Sequence, residues 1–221
     1  MNADHEFQVN DNLYKKVRVH QLKKGDKLPK FELATDGGVP LADAYTLGAF
    51  CGDGFVDRSS GKPVAFLCAA ESGKEIFDHC NVRSTYPPRH REGSQPMWVS
   101  RLNMDGELAV DLRDKATNLP AHIMSADKAS ALEFIAGWID TDGNVRNTGA
   151  CDNYRIFSTA ENKLRDLQLL CRRAGINHAQ LRVVSKAGET TNYGKRNHDL
   201  YALTIPAPSG TYFEQEKNCQ P

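Results

Sequence analysis

The sequence has no surplus of charge of either sign. Its 221 residues carry 28 Lys and Arg against 28 Asp and Glu, which argues against a generic basic nucleic-acid binder. It lacks any apolar run near the ~18 residues that a membrane span needs. The start, MNADHEFQVN, has neither a basic n-region nor an apolar h-region, so no secretory signal is expected and the location is read as intracellular. The six cysteines (Cys51, Cys68, Cys80, Cys151, Cys171, Cys219) form no C-x-x-C pair and none sits at zinc-ligand spacing with a histidine. They are expected to be reduced thiols, mostly filling the core. With 40% apolar and 25% charged residues, the chain is neither mostly disordered nor collagenous. Its length suits one or two domains with a sizeable core.

Neutrality is a sum of unlike parts. Residues 144–200 carry 10 basic and 5 acidic groups, whereas residues 135–143 carry no basic group and two acidic ones. A basic segment therefore follows directly on a short acidic one.

Residues 1–40 read as short strands and turns, with a strand at KKVRVHQL (15–22) and a linker at ATDGGVP (34–40). LADAYTLGAFCGD (41–53) reads as a helix ended by Gly54. SADKASALEFIAGWIDTDG (125–143) reads as a second, with Ser125 as N-cap, Asp127 in the first turn and Gly143 at the end. KPVAFLCAAESGKEIFDHC (62–80) and NYRIFSTAENKLRDLQLLC (153–171) both read strand then helix, each with an Ala-Glu pair after the strand and a late Cys. Two strand candidates follow each: MWVSRLN and GELAVDLRD, then QLRVVSKA and HDLYALTIP. The pattern is an internal repeat of helix–strand–helix–strand–strand in a pseudo-symmetric α+β protein.

The two helix ends align without a gap. LGAFCGDG (47–54) matches AGWIDTDG (136–143), pairing Gly48 with Gly137 and Asp53 with Asp142. Glycine lets two helices approach at backbone contact. Two helices so paired bring their carboxylates together at the negative ends of both dipoles, which favours a bound divalent cation. Mg²⁺ suits few carboxylates plus water and phosphate oxygens, and that constellation supports phosphodiester hydrolysis. An EF-hand fails for DTDGN (140–144), because its Gly falls at loop position 4 rather than 6 and Cys151, not Glu, stands at position 12.

FIAGWIDTDG (134–143) resembles the LAGLIDADG motif of homing endonucleases, and YTLGAFCGDG (45–54) resembles its first copy. The match is nearest to the double-motif, DOD-type endonucleases embedded in inteins, especially the vacuolar-ATPase type and the related mating-type switching endonuclease. The resemblance spans roughly residues 41–205. It implies two αββαββ-type halves packed through their motif helices, over residues 41–133 and 134–221, behind a partial splicing (Hint-like) stub at 1–40. It implies a site-specific double-strand DNA endonuclease, acting as a monomer on a long target, with Mg²⁺ (or Mn²⁺) held by Asp53 and Asp142 and by Gly52 and Thr141 beside them.

That group carries a lysine in a Lys-Xaa-Ile/Leu-Pro segment before the second motif. Here the segment reads TNLP (117–120), with Thr117 at the lysine position. Lys115 lies two residues earlier, and Lys186 or Lys195 is the candidate in the second half. For DNA contact the candidates are Arg146, Arg155, Arg182, Lys186, Tyr193, Lys195 and Arg196. Arg172 and Arg173 read as helix C-terminal cations. NADHEF (2–7) resembles a splicing segment whose His assists an acyl shift, which makes His5 a relic. The chain shows no upstream nucleophile and ends NCQP, so it is not expected to splice alone. Two alternatives stay open: a degenerate remnant that binds DNA without cutting, and one piece of a split intein acting with complementary fragments.

Overall fold

The computed structural model describes residues 6–9, 12–18, 21–24, 38–89, 96–147, 152–176, 179–191 and 194–206. The chain divides into two compact units, Met1–Leu33 and Ala34–Pro221. The first holds an antiparallel hairpin of β1 (Glu6–Val9) and β2 (Asn12–Arg18). His5 lies outside the described residues.

In the second unit, α1 (Ala44–Asp53) runs into β3 (Gly54–Asp57), followed by β4 (Val64–Ala70), a 3₁₀ helix (Glu71–His79), β5 (Val82–Arg89), β6 (Met97–Leu102), α2 (Gly106–Arg113) and α3 (Ala121–Met124). Then α4 (Lys128–Asp142) runs into β7 (Gly143–Asn147), followed by β8 (Asp152–Ser158), α5 (Glu161–Arg173), β9 (Gln180–Ser185), β10 (Thr190–Thr191), β11 (Gly194–Lys195) and β12 (Leu200–Pro206). Two four-stranded antiparallel sheets result, in the orders β3-β4-β6-β5 and β7-β8-β12-β9. The internal order is the same in both: first, second, fourth, third. The fold is the expected α+β pair of pseudo-symmetric halves packed through their motif helices.

Three local expectations need correction. A strand follows each motif helix directly (β3 and β7), so the repeat is richer by one strand than the helix–strand–helix–strand–strand pattern. GELAVDLRD is not a strand: Asp105 caps its start by accepting from Leu108 N, and Ala109 and Leu112 bury one helical face. Ser125 does not cap α4. Its own N–H closes α3 onto Ala121 O, and the cap is Asp127, whose carboxylate accepts from Ser130 N at 2.8 Å.

The sheets pack one face on helices. In β4, Ala65, Leu67 and Ala69 are buried and their neighbours face the other way, the period of two a half-buried strand requires. In α5, Leu164, Leu167, Leu170 and Cys171 form the inward stripe. The motif helices differ: Thr46–Cys51 and Phe134–Ile139 are buried without interruption. A helix apolar all round belongs at the centre. Each large side chain there contributes ~1.5–3 kcal/mol by burial. Among the described cysteines Cys51 and Cys171 are buried and Cys68 and Cys80 are half-buried, all four as free thiols. Among the described residues no helix is long and apolar enough to cross a membrane.

Candidate functional site

The site is built on the α1–α4 crossing. A Cβ placed on Gly48 would lie 1.9 Å from Phe134 O, and one on Gly137 would lie 2.1 Å from Tyr45 O. One sequence offset relates Gly48 to Gly137 and Tyr45 to Phe134, so the two contacts are the same contact seen from each half. The helices run in parallel, because Tyr45 faces Gly137 while Gly52 faces Thr141 and Asp142 farther along. Both C-termini therefore end on the same side. There a Cβ on Gly52 would lie 2.1 Å from Thr141 Oγ1 and 3.1 Å from Asp142 Cβ. The structure sets Gly48 against α4, Gly137 against α1 and Gly52 against Thr141 and Asp142, and Asp53 is the next residue after Gly52 at the end of α1.

Asp53 and Asp142 are both exposed. The charge of Asp53 reaches Cys68 on β4; burial raises that thiol's pKa first, and Asp53 raises it further. Thr141 Oγ1 donates back to Gly137 O and Trp138 O, at 3.0 and 3.1 Å. Two solvent-facing carboxylates at touching helix ends form an all-oxygen donor set, which fits a hard divalent cation. Among the described residues no group of three or more His, Cys, Asp and Glu stands ready for a metal. A cation here would draw the rest of its shell from carbonyls, water and phosphate.

A cleft of about 250 Å³ opens beside Asp142, and Gly52, Arg113, Lys115, Trp138 and Lys163 share its lining. Arg113 Nη1 donates to Cys51 O and Gly52 O, both at 2.9 Å. The guanidinium thus sits on the end carbonyls of α1, where a cation is favoured. It also occupies one lone pair of the Gly52 carbonyl expected to serve a metal. Lys163 comes from α5 and is 3% exposed. Its Nζ donates to Asp111 O at 2.6 Å and to Thr117 Oγ1 at 3.0 Å. Thr117 Oγ1 in turn lies 3.2 Å from Asp111 O and 3.1 Å from Asp114 O. Burial pulls the Lys163 pKa below the usual lysine range, while the carboxylates of Asp114, Asp111 and Asp166 push it back up. Burial also drives the Cys51 thiol up to about 12, so it stays protonated and is no nucleophile.

The position that Thr117 leaves without a charge therefore meets an ammonium arriving from elsewhere. Lys115 lines the cleft with Asp142. Lys186 and Lys195 do not; they lie with Arg196 around the β10–β11 extension, where Arg196 N donates to Glu189 O. Sequence reasoning did not single out Arg113 or Lys163. Arg113 was hidden by reading its segment as a strand. Lys163 sits in the charged run ENKLRD, and the one available signal was the missing lysine at 117.

The two sheets present unlike outer faces. Across the second, Asn144, Arg155, Thr204 and Gln180 stand in one row of paired positions, and Phe157, Ala202 and Arg182 in the next. Ile156, Leu203 and Ile205 fill the opposite, buried face. The first sheet shows Phe55 stacked on Phe66, with ring centroids 5.2 Å apart, and Tyr86 tilted against Phe66. Arg155 and Arg182 thus share a surface. Tyr193 and the side chain of Arg146 lie outside the described residues. Arg173, in the last turn of α5, donates to Ala126 O.

A family model for a LAGLIDADG-like domain matches residues 129–206, from the second motif helix to β12. The ribonucleoside-diphosphate reductase large subunit of Invertebrate iridescent virus 6 is 27% identical over 190 residues, which cover 85% of this chain and 18% of that protein. The chain thus spans under a fifth of that relative's length. Among solved structures, a variant of I-DmoI in complex with its target DNA in the presence of manganese is 13% identical, with TM-score 0.44, over 74% of this chain and 85% of that one. The N-terminal LAGLIDADG domain of WhiA is 11% identical, with TM-score 0.45, over 72% and 73%.

Proposed function

We propose that the chain is a site-specific double-strand DNA endonuclease of the LAGLIDADG homing type, with residues 41–133 and 134–221 as its halves. The observation that carries this reading is the pair of aspartates at the ends of two parallel helices locked together by Gly48 and Gly137. Asp53 and Asp142 would hold Mg²⁺ or Mn²⁺, with main-chain oxygen at Gly52 and Thr141 as the neighbouring candidates. A bound divalent cation supplies charge neutralisation and a more acidic water at the scissile phosphate. The protein's own residues fix the geometry. In hydrolysis a water oxygen adds to phosphorus and a P–O ester bond breaks. One water proton leaves to solvent and the departing oxygen ends protonated. Each carboxylate serves one strand, and the protein acts as a monomer inside the cell, wherever the target DNA lies.

The chain's origin is read as an intein insert, with residues 1–40 a splicing remnant that includes His5. The match to 18% of a reductase large subunit supports this. A match limited to 18% of that protein is what an inserted module would give. A reductase gene is then a better host than a vacuolar-ATPase gene. The test is incubation with an uninterrupted reductase large-subunit gene and Mg²⁺. One double-strand cut that EDTA abolishes is expected; intact DNA with both Mg²⁺ and Mn²⁺ rejects the reading.

Thr117 and the engaged Gly52 carbonyl favour one competing reading, a remnant that binds without cutting. A gel shift with no metal-dependent product selects it. A split-intein fragment instead requires complementary reading frames nearby.

The basic sheet face yields a binding prediction. Arg155→Ala and Arg182→Ala should each weaken DNA binding. If the contact is to phosphate, the loss is near-uniform across sequences and the log–log salt slope falls by about 1. Titrations at several salt concentrations check this, and an unchanged slope with relaxed sequence preference assigns base readout instead.

A further inference from the structure

We propose that the cleft beside Asp142 is a built phosphate pocket, with the Lys163 ammonium as its fixed cation, and that it seats a backbone phosphodiester of the strand served by Asp142. This rests on the endonuclease reading for the identity of the occupant, but the pocket itself is argued from its own walls.

Four features of the cleft favour an anionic, oxygen-rich ligand. Lys163, Arg113 and Lys115 bring three cations to one cavity. Ser158, Thr159 and Ala160 place the start of the 13-residue helix α5 on its wall, and that start has no side-chain cap. An uncapped N-terminus offers N–H donors and the positive end of the dipole. The indole Nε1 of Trp138, in a side chain 2% exposed, is buried without a hydrogen-bond partner, and so is Thr159 Oγ1. Buried polar atoms without partners are rare and call for a ligand or water. Finally, Lys163 uses two of its three donors within the protein, which aims the ammonium without exhausting it.

The amine also stands at Thr117, close enough to hydrogen-bond its hydroxyl. A lysine at 117 could therefore deliver its own charge to the same spot. Lys163 acts electrostatically: it donates a hydrogen bond to a non-bridging phosphate oxygen and keeps its proton, so the hydrolysis balance is unchanged. Its counterpart region in the first half, after β4, offers Lys74 instead, which is exposed and paired with Glu71. The pocket belongs to one strand.

The test has two arms. In the first, inorganic phosphate is titrated against the full chain without DNA, followed by thermal unfolding. Wild type should gain stability with phosphate, and Lys163→Met should lose that gain. Trp138→Phe, which keeps a ring but removes the N–H, should bind phosphate more weakly, and serves if Lys163→Met does not fold. Equal stabilisation of wild type and variants overturns the pocket, whatever the DNA result. In the second arm, supercoiled plasmid carrying the target is cut with Mg²⁺. Lys163→Met should slow cutting of one strand by about 10²-fold, so that nicked circles accumulate, and should weaken DNA binding by no more than the loss of one phosphate contact. Thr117→Lys added to Lys163→Met should restore linear product. Unaltered linear product from Lys163→Met, or slow cutting of both strands with no rescue, overturns the assignment. Intact DNA with wild type overturns the endonuclease reading, and the phosphate arm still decides the pocket.

Discussion

Asp142→Asn is expected to lower metal-dependent double-strand cleavage by about 10³-fold, roughly 4 kcal/mol in the barrier, while leaving DNA affinity near wild type. The substitution keeps size and exposure but removes a charge that the site needs for its cation. Asn offers one neutral carbonyl oxygen where Asp offers two anionic ones. The fold should tolerate it. Asp142 is exposed at the end of α4, and a negative charge at a helix C-terminus opposes the dipole, so its loss should be neutral or slightly stabilising. Asp53→Asn should behave alike at the end of α1. With one carboxylate serving each strand, as proposed, either single variant should accumulate nicked product and the double variant should leave DNA intact. Rates from a strand-resolved gel, with affinity measured in Ca²⁺, check both. A variant that cuts both strands at the wild-type rate assigns the chemistry elsewhere.

Gly48→Leu is expected to cost about 3 kcal/mol or more and to leave little cooperative unfolding. A Cβ alone at that position would lie 1.9 Å from Phe134 O and 2.8 Å from Phe134 C. The obstacle is the main chain of α4 within its buried stretch, Phe134 to Ile139, which cannot swing aside as a side chain can. Relief requires the two helices to separate, and that loosens packing that runs through Phe50, Phe134 and Ile135, each fully buried. Against a total stability of ~5–15 kcal/mol, such a loss leaves a marginal protein. Gly137 faces Tyr45 O with a similar 2.1 Å gap, so Gly137→Leu should match it. Gly73→Ala is the control, because nothing lies within 4 Å of its added Cβ. Urea unfolding of the three variants separates interface strain from a general intolerance of lost glycine.

Much of this site was legible in the sequence because its logic is local. Gly48 and Asp53 lie five residues apart on one helix, Gly137 and Asp142 five apart on another, and the duplication tied the two together. The strands β4, β6, β8, β9 and β12 showed through their apolar alternation or turn boundaries. What stayed hidden depends on tertiary contact. Gly106–Arg113 mixes apolar and charged residues in a way that suits either element, and only its Asp105 cap and its packing decide for helix. Lys163 reads as one more charge on an amphipathic surface until α2 and the loop through Thr117 cover it. Arg113 reaches α1 carbonyls some sixty positions back in the chain, and no local pattern announces that reach.

The proposed endonuclease requires the glycine-packed helix pair to bring Asp53 and Asp142 to a divalent cation at DNA. Anomalous diffraction from crystals of the chain with a target duplex and Mn²⁺ tests it most directly. Manganese density is expected within coordination distance of the Asp53 and Asp142 carboxylates, next to backbone phosphate oxygens. Manganese bound to DNA or protein elsewhere, with both carboxylates turned to solvent, would contradict it.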